Sequence, residues 1–454
     1  MTKRLIPMLV MALLLAGCWR TAPMTEPSIV PEPMFVAQKD GLCVLDRQVA
    51  VAVSGLGQNS PTVKYIMKSL RHVHMRPSLV ALSEENDLML MLNDTLNDEL
   101  GDEGYLLEVR HDGVSLSANT ERGLFYGYQT LLQMLPADVV NTTYRSVTLP
   151  ECTILDRPRF EWRGLCINLS GTALGQKTLR KVVDVMASYK LNRLCIEGGW
   201  WNADSTNWMI DSLTAYNLSE INDLRDYAAA MCVELHWDTM PPLAHDAATG
   251  LRMAREGEGV VMQPDEQWSL DRYQANPRFQ PQASDGLATL GSVYAYDPMP
   301  KGAHDYAETN ILGAQGVLLT DCTGDPRHME YMLLPRLLAL SECLWSPAGS
   351  KDWQRFRKRV EAHKEHLQAR GYNYCEGSFT PQFLARRVDD GSMNISIETE
   401  VPNTYIFYTT DSTTPTRQSA IYLGPINLQR GTHIKILPVY KDVVRDSVYE
   451  FVIK

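Results

Sequence analysis

Residues 156–164, DRPRFEWRG, open a long segment in which short apolar strands alternate with helical stretches. After the strand that this sequence begins, the predicted strands cover residues 193–197, 233–238, 259–264 and 312–320. The predicted helices cover residues 176–189, 219–231, 251–256, 329–344 and 352–370. Regular alternation of strand and helix is typical of parallel βα units, so this segment is expected to form a parallel sheet covered by helices.

Five parallel strands are too few to close a barrel. A complete (β/α) barrel has eight, which form a cylinder just wide enough for side chains to fill. We therefore expect residues 151–376 to form an incomplete TIM-type barrel with two unpaired outer strands. Unpaired strands associate readily with other strands, which leaves open a homo-oligomer in which a second copy seals the barrel edges.

The segments on either side of the barrel have different patterns. Residues 34–150 contain a predicted hairpin over 104–118 followed by a helix over 120–135, which indicates a small α+β domain. Residues 377–454 contain several β-branched or alternating runs and predict a β-sandwich. The predicted fold class is thus multidomain α/β, with a small α+β N-terminal domain, an incomplete barrel and a C-terminal β-sandwich.

The first residues have the pattern of an export signal. Lys3 and Arg4 precede an apolar run, and LAGC at residues 15–18 is typical of a lipoprotein signal (1–18) in which Cys18 is lipidated. An ordinary signal peptide that contains a cysteine is the alternative. The Pro-rich residues 19–33 are interpreted as a tether. The prediction is an exported protein, lipid-anchored to the cell envelope at the outer membrane or periplasm of a Gram-negative bacterium.

Composition excludes several classes of partner. The formal net charge of -11 argues against nucleic acid, which requires clustered Lys and Arg. No internal apolar run approaches the ~20 residues of a membrane-spanning helix, so the membrane is expected only through the lipid anchor. No Cys-x-x-Cys spacing occurs, so neither a metal site nor a cofactor is predicted.

Four stretches carry a family resemblance that extends over nearly the whole chain after residue 26. They are DRPRFEWRG at 156–164, GLFYGYQTLLQ at 123–133, EYMLLPRLLAL at 330–340 and YTTDSTTP at 408–415. Each resembles a segment of the β-N-acetylhexosaminidases of glycoside hydrolase family 20, the last one a turn of their C-terminal sandwich. The resemblance implies an enzyme of carbohydrate metabolism that acts on terminal N-acetylglucosamine or N-acetylgalactosamine residues of glycans.

The sequence departs from the family where the chemistry should lie. In the family, an Asp-Glu pair at the tip of the fourth strand orients the substrate's acetamide and protonates the leaving oxygen. Here three βα units before the seventh strand are missing. Asp265-Glu266 is the nearest Asp-Glu dipeptide and is interpreted as part of a solvated loop, and Asp102-Glu103 as surface. No catalytic residue is therefore predicted.

The resemblance also implies a set of substrate-binding positions. Arg163 matches an arginine that grips the sugar's outer hydroxyls, although an arginine paired inside the barrel is the alternative. Asp271 matches a retained aspartate, and Asp321 replaces a glutamate on the eighth strand. Glu197 takes the place of a histidine, and Asp238 belongs to an acidic run on the third strand. Other family positions are changed, at Asn168, Gly171, Cys195, Ser269 and Leu319.

Two questions about these side chains stay open from the sequence. Carboxylates near strand ends would form a new acid pair only if two of them converged. Five tryptophans are candidates either for stacking on sugars or for core packing; they are Trp200, Trp201, Trp208, Trp237 and Trp268. The function is thus a hexosaminidase by descent, a catalytically inactive glycan- or partner-binding lipoprotein, or a truncated product without a stable fold.

Overall fold

The computed structural model describes residues 27–169, 174–198, 216, 218–237, 241–304, 306–323, 325–389 and 391–453. Cys18, Asp238, Trp200, Trp201 and Trp208 lie outside the described residues. Contacts divide the chain into two units. The first comprises Met1–Pro158 with Gln368–Arg370, and the second comprises Arg159–Leu367 with Gly371–Lys454.

The first unit contains a seven-stranded sheet with the order β1-β7-β5-β6-β4-β2-β3. Its strands are β1 (Phe35–Asp46), β2 (Gln48–Ser54), β3 (Arg76–Leu79), β4 (Leu88–Leu92), β5 (Tyr105–Arg110), β6 (Gly113–Ala118) and β7 (Ser146–Asp156). Its α-helices are α1 (Pro61–His72) and α2 (Glu121–Gln133). The predicted hairpin is confirmed, because β5 and β6 pair in antiparallel register from Tyr105↔Ala118 to Arg110↔Gly113.

The helix predicted after the hairpin is also confirmed, and its start has a local cause. The Thr120 hydroxyl accepts a hydrogen bond from the backbone N–H of Gly123 at 3.2 Å, which caps the first turn of α2. The helix packs on the sheet through buried residues such as Leu124 and Tyr128. Inside this core the Tyr105 hydroxyl donates to the Asp156 carboxylate at 2.6 Å. This pair joins β5 to β7, and the Tyr105 hydroxyl also lies 2.6 Å from the Thr130 hydroxyl of α2, so the buried polar network connects sheet and helix.

The second unit begins with strands and helices that alternate along the chain. The strands are β8 (Trp162–Asn168), β9 (Arg193–Glu197), β10 (Glu234–Trp237), β11 (Leu243–Ala244), β12 (Val260–Met262), β13 (Arg272–Tyr273), β14 (Ser284–Leu287) and β15 (Ile311–Leu319). The helices are α3 (Gln176–Ser188), α4 (Leu218–Ala230), α5 (Ala247–Arg255), α6 (Leu290–Ala295), α7 (Tyr306–Thr309), α8 (Pro326–Leu333), α9 (Arg336–Trp345) and α10 (Trp353–Ala369).

Six of these strands form one parallel sheet, with the order β10-β9-β8-β15-β12-β11. The first strand, β8, lies beside the last, β15, which is the neighbour relation that closes a TIM barrel. The two outer strands, β10 and β11, are consecutive along the chain. The gap in the barrel therefore lies between Trp237 and Leu243. In the part of the chain that the structure describes, this sheet has six strands rather than the predicted five.

The additional strand is β11, which pairs with β12 through Leu243↔Val261 and Ala244↔Met262. Only residues 238–242 connect β10 to β11. A chain of that length spans at most about 20 Å. The outer strands of six in a flat sheet would lie roughly 24 Å apart at a strand spacing of ~4.8 Å. The sheet is therefore curled, with its two outer strands turned toward each other.

The inner face of the curled sheet holds one cluster to which all six strands contribute. Its members are Trp162 and Cys166 from β8, Cys195 from β9, His236 from β10, Leu243 from β11, Val261 from β12, and Leu312 and Val317 from β15. The Trp162 indole lies over Gly164, where a Cβ atom would stand 2.6 Å from the indole nitrogen. That nitrogen donates to the Gln315 amide oxygen at 3.2 Å. The interior is thus a packed core.

The remaining strands of the second unit form two small sheets. They are β16 (Gln382–Arg387), β17 (Met393–Glu398), β18 (Tyr405–Thr409), β19 (Ala420–Ile421), β20 (Ile426–Leu428), β21 (His433–Tyr440), β22 (Val443–Val444) and β23 (Tyr449–Val452). β16, β17 and β20 form one sheet, and the others form the second. Ile395 and Ile397 of the first sheet pack against Ile406, Ile434 and Ile436 of the second. This is the predicted β-sandwich.

One buried carboxylate links this sandwich to the barrel segment. Glu400, 3% exposed, accepts hydrogen bonds from the Thr289 hydroxyl at 2.5 Å and the Gly291 N–H at 2.8 Å, at the start of α6. Its other oxygen accepts from the N–H of Ser378 at 3.2 Å. Burial is the largest influence on the Glu400 carboxyl and raises its pKa.

Within the described residues, no helix is both long and apolar enough to cross a bilayer.

Candidate functional site at the carboxyl edge of the barrel sheet

Barrel enzymes carry their chemistry where the carboxyl ends of the parallel strands meet, here called the carboxyl edge. The register places Asn168, at the end of β8, opposite Glu197 on one side and Leu319 on the other. The Asn168 amide donates to the Glu197 carboxylate at 3.1 Å. Glu197 is half-buried, and Asn168 of the neighbouring strand holds its carboxylate in place.

Two cysteines lie one layer below this pair. Cys166 and Cys195 face each other on β8 and β9, and both thiols are buried. Burial, reinforced by the negative charge of Glu197, raises the pKa of Cys195 to about 12 and that of Cys166 further. Because the thiolate is the reactive form of cysteine, both groups are poor nucleophiles. The floor beneath Glu197 is therefore inert.

Arg163 lies at the other end of the sheet from the carboxyl edge. It is the second residue of β8, and its side chain is fully buried. The guanidinium donates to the backbone oxygens of Lys190 at 2.8 Å and Phe160 at 2.7 Å, and it stacks on Trp345 at 5.0 Å. This geometry contradicts the sugar-binding role that the sequence predicted. The arginine is paired, as in the alternative, but it lies between the sheet and α9 and not on the inner face that holds Trp162.

Asp271 lies beside the carboxyl end of β15. The preceding residues run along that strand, with the Leu270 N–H donating to the Val317 oxygen at 2.6 Å. The Asp271 side chain is 5% exposed, and among the described residues its Oδ1 has no hydrogen-bond partner. A buried acceptor without a donor is costly, and an ordered water or ion commonly supplies the missing donor in native proteins.

Arg336 at the start of α9 fixes the loop that carries Asp271. Its fully buried guanidinium donates to the backbone oxygens of Leu270 at 2.6 Å, Arg272 at 3.0 Å and Ala288 at 2.8 Å. These oxygens lie on both sides of Asp271 in the chain. Sequence inspection missed this arginine as part of the site, because α9 has the apolar composition of an ordinary core helix.

The surroundings of the other predicted carboxylates differ from those of Asp271. Asp321 is exposed beyond the end of β15, and Asp238 lies outside the described residues. Asp265 and Glu266 are exposed, as the sequence predicted. The Asp265 carboxylate bonds the His245 ring at 2.8 Å, which joins the ends of β12 and β11. His245 was missed because the strand before it is only two residues long.

Two of the five tryptophans that were candidates for sugar stacking lie within the described residues, and both are core residues. Trp268 is fully buried and donates from its indole nitrogen to the Val293 oxygen at 3.1 Å. Trp237 is buried and packs edge-on against Tyr216 at 5.5 Å. Neither presents a face for stacking on a sugar. Among the described side chains, no group of three or more His, Cys, Asp or Glu residues is arranged to hold a metal ion.

Comparison with known proteins assigns these units to one family. Residues 26–157 match the model for domain 2 of glycosyl hydrolase family 20. Residues 220–348 match the model for the catalytic domain of the same family. Residues 395–450 match a model described as Fn3 associated.

The curated relatives are named β-hexosaminidases. The chain is 22% identical to a β-hexosaminidase of Porphyromonas gingivalis over 574 positions, which cover 91% of the chain and 72% of the relative. Because that span exceeds the 454 residues of the chain, the alignment opens gaps in it. It is 28% identical to β-hexosaminidase subunit A2 of Dictyostelium discoideum, over 37% of the chain and 29% of the relative.

Solved structures have the same fold. The N-acetyl-β-hexosaminidase of Streptomyces plicatus superposes with a TM-score of 0.68 at 19% identity, covering 79% of this chain and 98% of that one. The chitobiase of Flavobacterium johnsoniae superposes with a TM-score of 0.62 at 16% identity, covering 75% and 73%. With two models of one family matching separate parts of the chain, and relatives and fold in agreement, this protein belongs to glycoside hydrolase family 20.

Proposed function

We propose that this chain is an exported family 20 protein that binds N-acetylhexosamine-containing glycans without hydrolysing them. The observation that carries the proposal is the gap between β10 and β11. Counted from β8, β10 is the third strand of the barrel. On the other side of the gap, β11 lies two places before the last strand, β15. An eight-stranded barrel would have its fourth and fifth strands there.

The connection is too short to restore those strands. One parallel crossover takes a dozen or more residues, whereas residues 238–242 are all that link β10 to β11. The family's acetamide-orienting aspartate and proton-donating glutamate belong to the tip of the fourth strand. With that strand missing, the described residues include no neighbouring acid pair at the tip of a fourth strand.

Remaining carboxylates do not replace that pair in our proposal. Substrate-assisted hydrolysis needs two acids on one sugar, one at the acetamide and one at the leaving group. The Glu197 carboxylate already accepts a hydrogen bond from the Asn168 amide. Asp271 is buried beside β15, and Asp321 is exposed. In our proposal, each of these carboxylates makes a separate contact with a glycan, and no two of them act together on one sugar.

Glycan binding is proposed to centre on Asp271. A sugar hydroxyl that donates to the Asp271 Oδ1 atom would satisfy an acceptor that is otherwise buried without a donor. The Arg336 contacts keep the loop in place while it does so. The retained aspartate is also the position that the family resemblance assigns to substrate.

Export and lipidation are proposed from the leader alone. A run of apolar residues followed by LAGC would place the Cys18 thioether at a membrane surface, with residues 19–33 as a tether. Expression in a Gram-negative host with radiolabelled palmitate tests this proposal. Label should enter the wild-type chain and not Cys18→Ser, and equal labelling of both would contradict it.

Catalysis is tested with purified protein and 4-nitrophenyl N-acetyl-β-glucosaminide. We expect nitrophenol release no faster than in buffer, with the Streptomyces plicatus enzyme as the active control. Turnover in the range typical of enzymes, about 1–10³ per second, would show that the loss of the fourth strand has not removed catalysis.

Binding is tested by calorimetry with a β-1,4-linked N-acetylglucosamine disaccharide. We expect saturable binding that Asp271→Asn weakens by about tenfold, because a hydrogen bond to a charged acceptor is worth ~1.5–3 kcal/mol. Asp265→Asn is the matched control, an exposed aspartate at the same edge of the sheet. Loss of affinity in both variants, or in neither, would contradict a specific role for Asp271.

A further inference from the structure

The first unit, which contains none of the barrel strands, has a polar cleft of its own. Its volume is about 740 Å³, within the ~300–1,000 Å³ typical of small-molecule sites. The polar residues that line it are Asp46, Arg47, Gln48, Ser78, Asp87 and Arg145. Neither the family's chemistry nor the proposed contact at Asp271 uses any of them.

Four separate segments bring these side chains together. Arg47 is the single residue between β1 and β2, Ser78 belongs to β3, and Asp87 and Arg145 directly precede β4 and β7. The Arg47 N–H donates to the Arg145 oxygen at 2.9 Å, which joins two of the segments. A cleft assembled from several strands of one sheet is held by the fold and keeps its shape without a ligand.

Hydrogen bonds to backbone groups orient two of the side chains that line the cleft. The Arg47 Nε donates to the His74 oxygen at 2.9 Å, and the Asp87 Oδ2 accepts the Ala50 N–H at 2.7 Å. The second Asp87 oxygen and the Arg145 guanidinium have no hydrogen-bond partner among the described residues. The cleft thus combines an anchored acceptor with donors that are available to a ligand.

The charges of the lining residues identify the kind of ligand. Two guanidinium groups and two carboxylates balance, so the cleft favours neither an anion nor a cation. Gln48 and Ser78 add groups that both donate and accept hydrogen bonds. Adjacent hydroxyls on a sugar ring need this mixture, because each hydroxyl donates one hydrogen bond and accepts others.

We propose that this cleft is a second carbohydrate site, which binds a neutral oligosaccharide independently of the barrel. Arg145 and Asp87 form the opposing donor and acceptor of the site. The proposal does not require binding at Asp271, so either site can fail without the other.

Calorimetry on the full chain with a β-1,4-linked N-acetylglucosamine trimer tests the proposal. In the Asp271→Asn background, where the barrel site is weakened by about tenfold, we expect a second site of unchanged affinity, which Arg145→Ala or Asp87→Asn then weakens by about tenfold. If Asp271→Asn alone abolishes all binding, the cleft proposal is overturned and the barrel site stands. If Asp271→Asn changes nothing but Arg145→Ala abolishes binding, the cleft stands and the barrel site fails.

Arg110→Ala is the matched control, because Arg110 is an exposed arginine of the same unit that pairs with Glu108 outside the cleft. It should bind the trimer as the parent does, and a loss equal to that of Arg145→Ala would overturn the assignment. Inorganic phosphate is the second probe. Binding of phosphate without binding of the trimer would show an anion site and would equally overturn the proposal.

Discussion

The imidazole of His236 lies 4.9 Å, between ring centroids, from the indole of Trp162. His236 is on β10, an outer strand, whereas Trp162 is on β8, two strands away. Leu243 of β11, the opposite outer strand, packs against the same cluster. Both outer strands therefore contribute side chains to the cluster that contains Trp162.

Replacing this indole should be among the most damaging single changes in the second unit. We expect Trp162→Ala to lower the free energy of unfolding by roughly 3–5 kcal/mol, as large-to-small changes of buried aromatics do. Urea denaturation followed by far-UV circular dichroism measures it. Phe279→Ala, at an exposed aromatic, is the control and should cost less than ~0.5 kcal/mol. Similar losses in both variants would contradict the central position of Trp162.

The curvature of the sheet also predicts the oligomeric state. Sequence alone left open closure by a second copy, but side chains of both outer strands already pack on one cluster within the chain. We therefore expect a monomer, of about 51.2 kDa for the full chain. Light scattering coupled to size exclusion measures the mass, and a concentration-independent dimer would contradict this expectation.

The Arg336 guanidinium makes a third prediction possible, since it bonds several backbone oxygens around Asp271. Arg336→Lys keeps the charge but cannot reach these acceptors at once. We expect a loss of about 2–4 kcal/mol in unfolding free energy, together with weaker disaccharide binding. Arg252→Lys is the matched control, an exposed arginine paired with Glu256. Unchanged stability of Arg336→Lys would contradict the role of this residue.

Glu400 predicts a dependence of stability on pH. Its pKa in the folded protein is raised above the ordinary 4.5, chiefly by burial. The folded state thus holds this proton more tightly than the unfolded state does. The corresponding stabilisation is complete below pH 4.5 and is lost as the pH rises through the raised pKa. The free energy of unfolding, measured with urea between pH 4.5 and 8, should fall over that range.

The comparison with Glu400→Gln isolates this residue from other titrating groups. The glutamine variant cannot titrate, so the difference in unfolding free energy between the two proteins should change with pH. The wild type should lose stability relative to the variant as the pH rises. A difference that is constant across the range would show that Glu400 does not titrate between the folded and unfolded states.

Elements with a strong local pattern were predictable from the sequence. The hairpin of β5 and β6, the capped helix α2 and the sandwich strands each follow from alternation or from a capping residue. β11 was not predictable, because two residues carry no periodicity and its pairing with β12 depends on the rest of the sheet. Arg163 was misassigned for a related reason. A motif match does not reveal at which end of a strand a long side chain is anchored.

The candidate site was less predictable than the fold. Asp271 was identified through the retained family position, but its buried and unpartnered Oδ1 follows from the path of residues 268–270 along β15. The cleft around Arg145 gave no signal in the sequence, since its residues come from segments that are far apart in the chain. Burial and convergence of distant segments are properties of the folded chain.

The short link between Trp237 and Leu243 has a practical meaning for protein engineering. It is one place in the chain at which the two βα units of an eight-stranded barrel that are missing here could be inserted, and the sheet already presents a parallel strand on each side of that place. A chimaera that takes those units from an active relative would cut no other strand of the sheet. Such a graft would turn the missing segment into a transplantable module, and any turnover that the chimaera gains over the parent would measure how much of a family 20 active site the present scaffold supports.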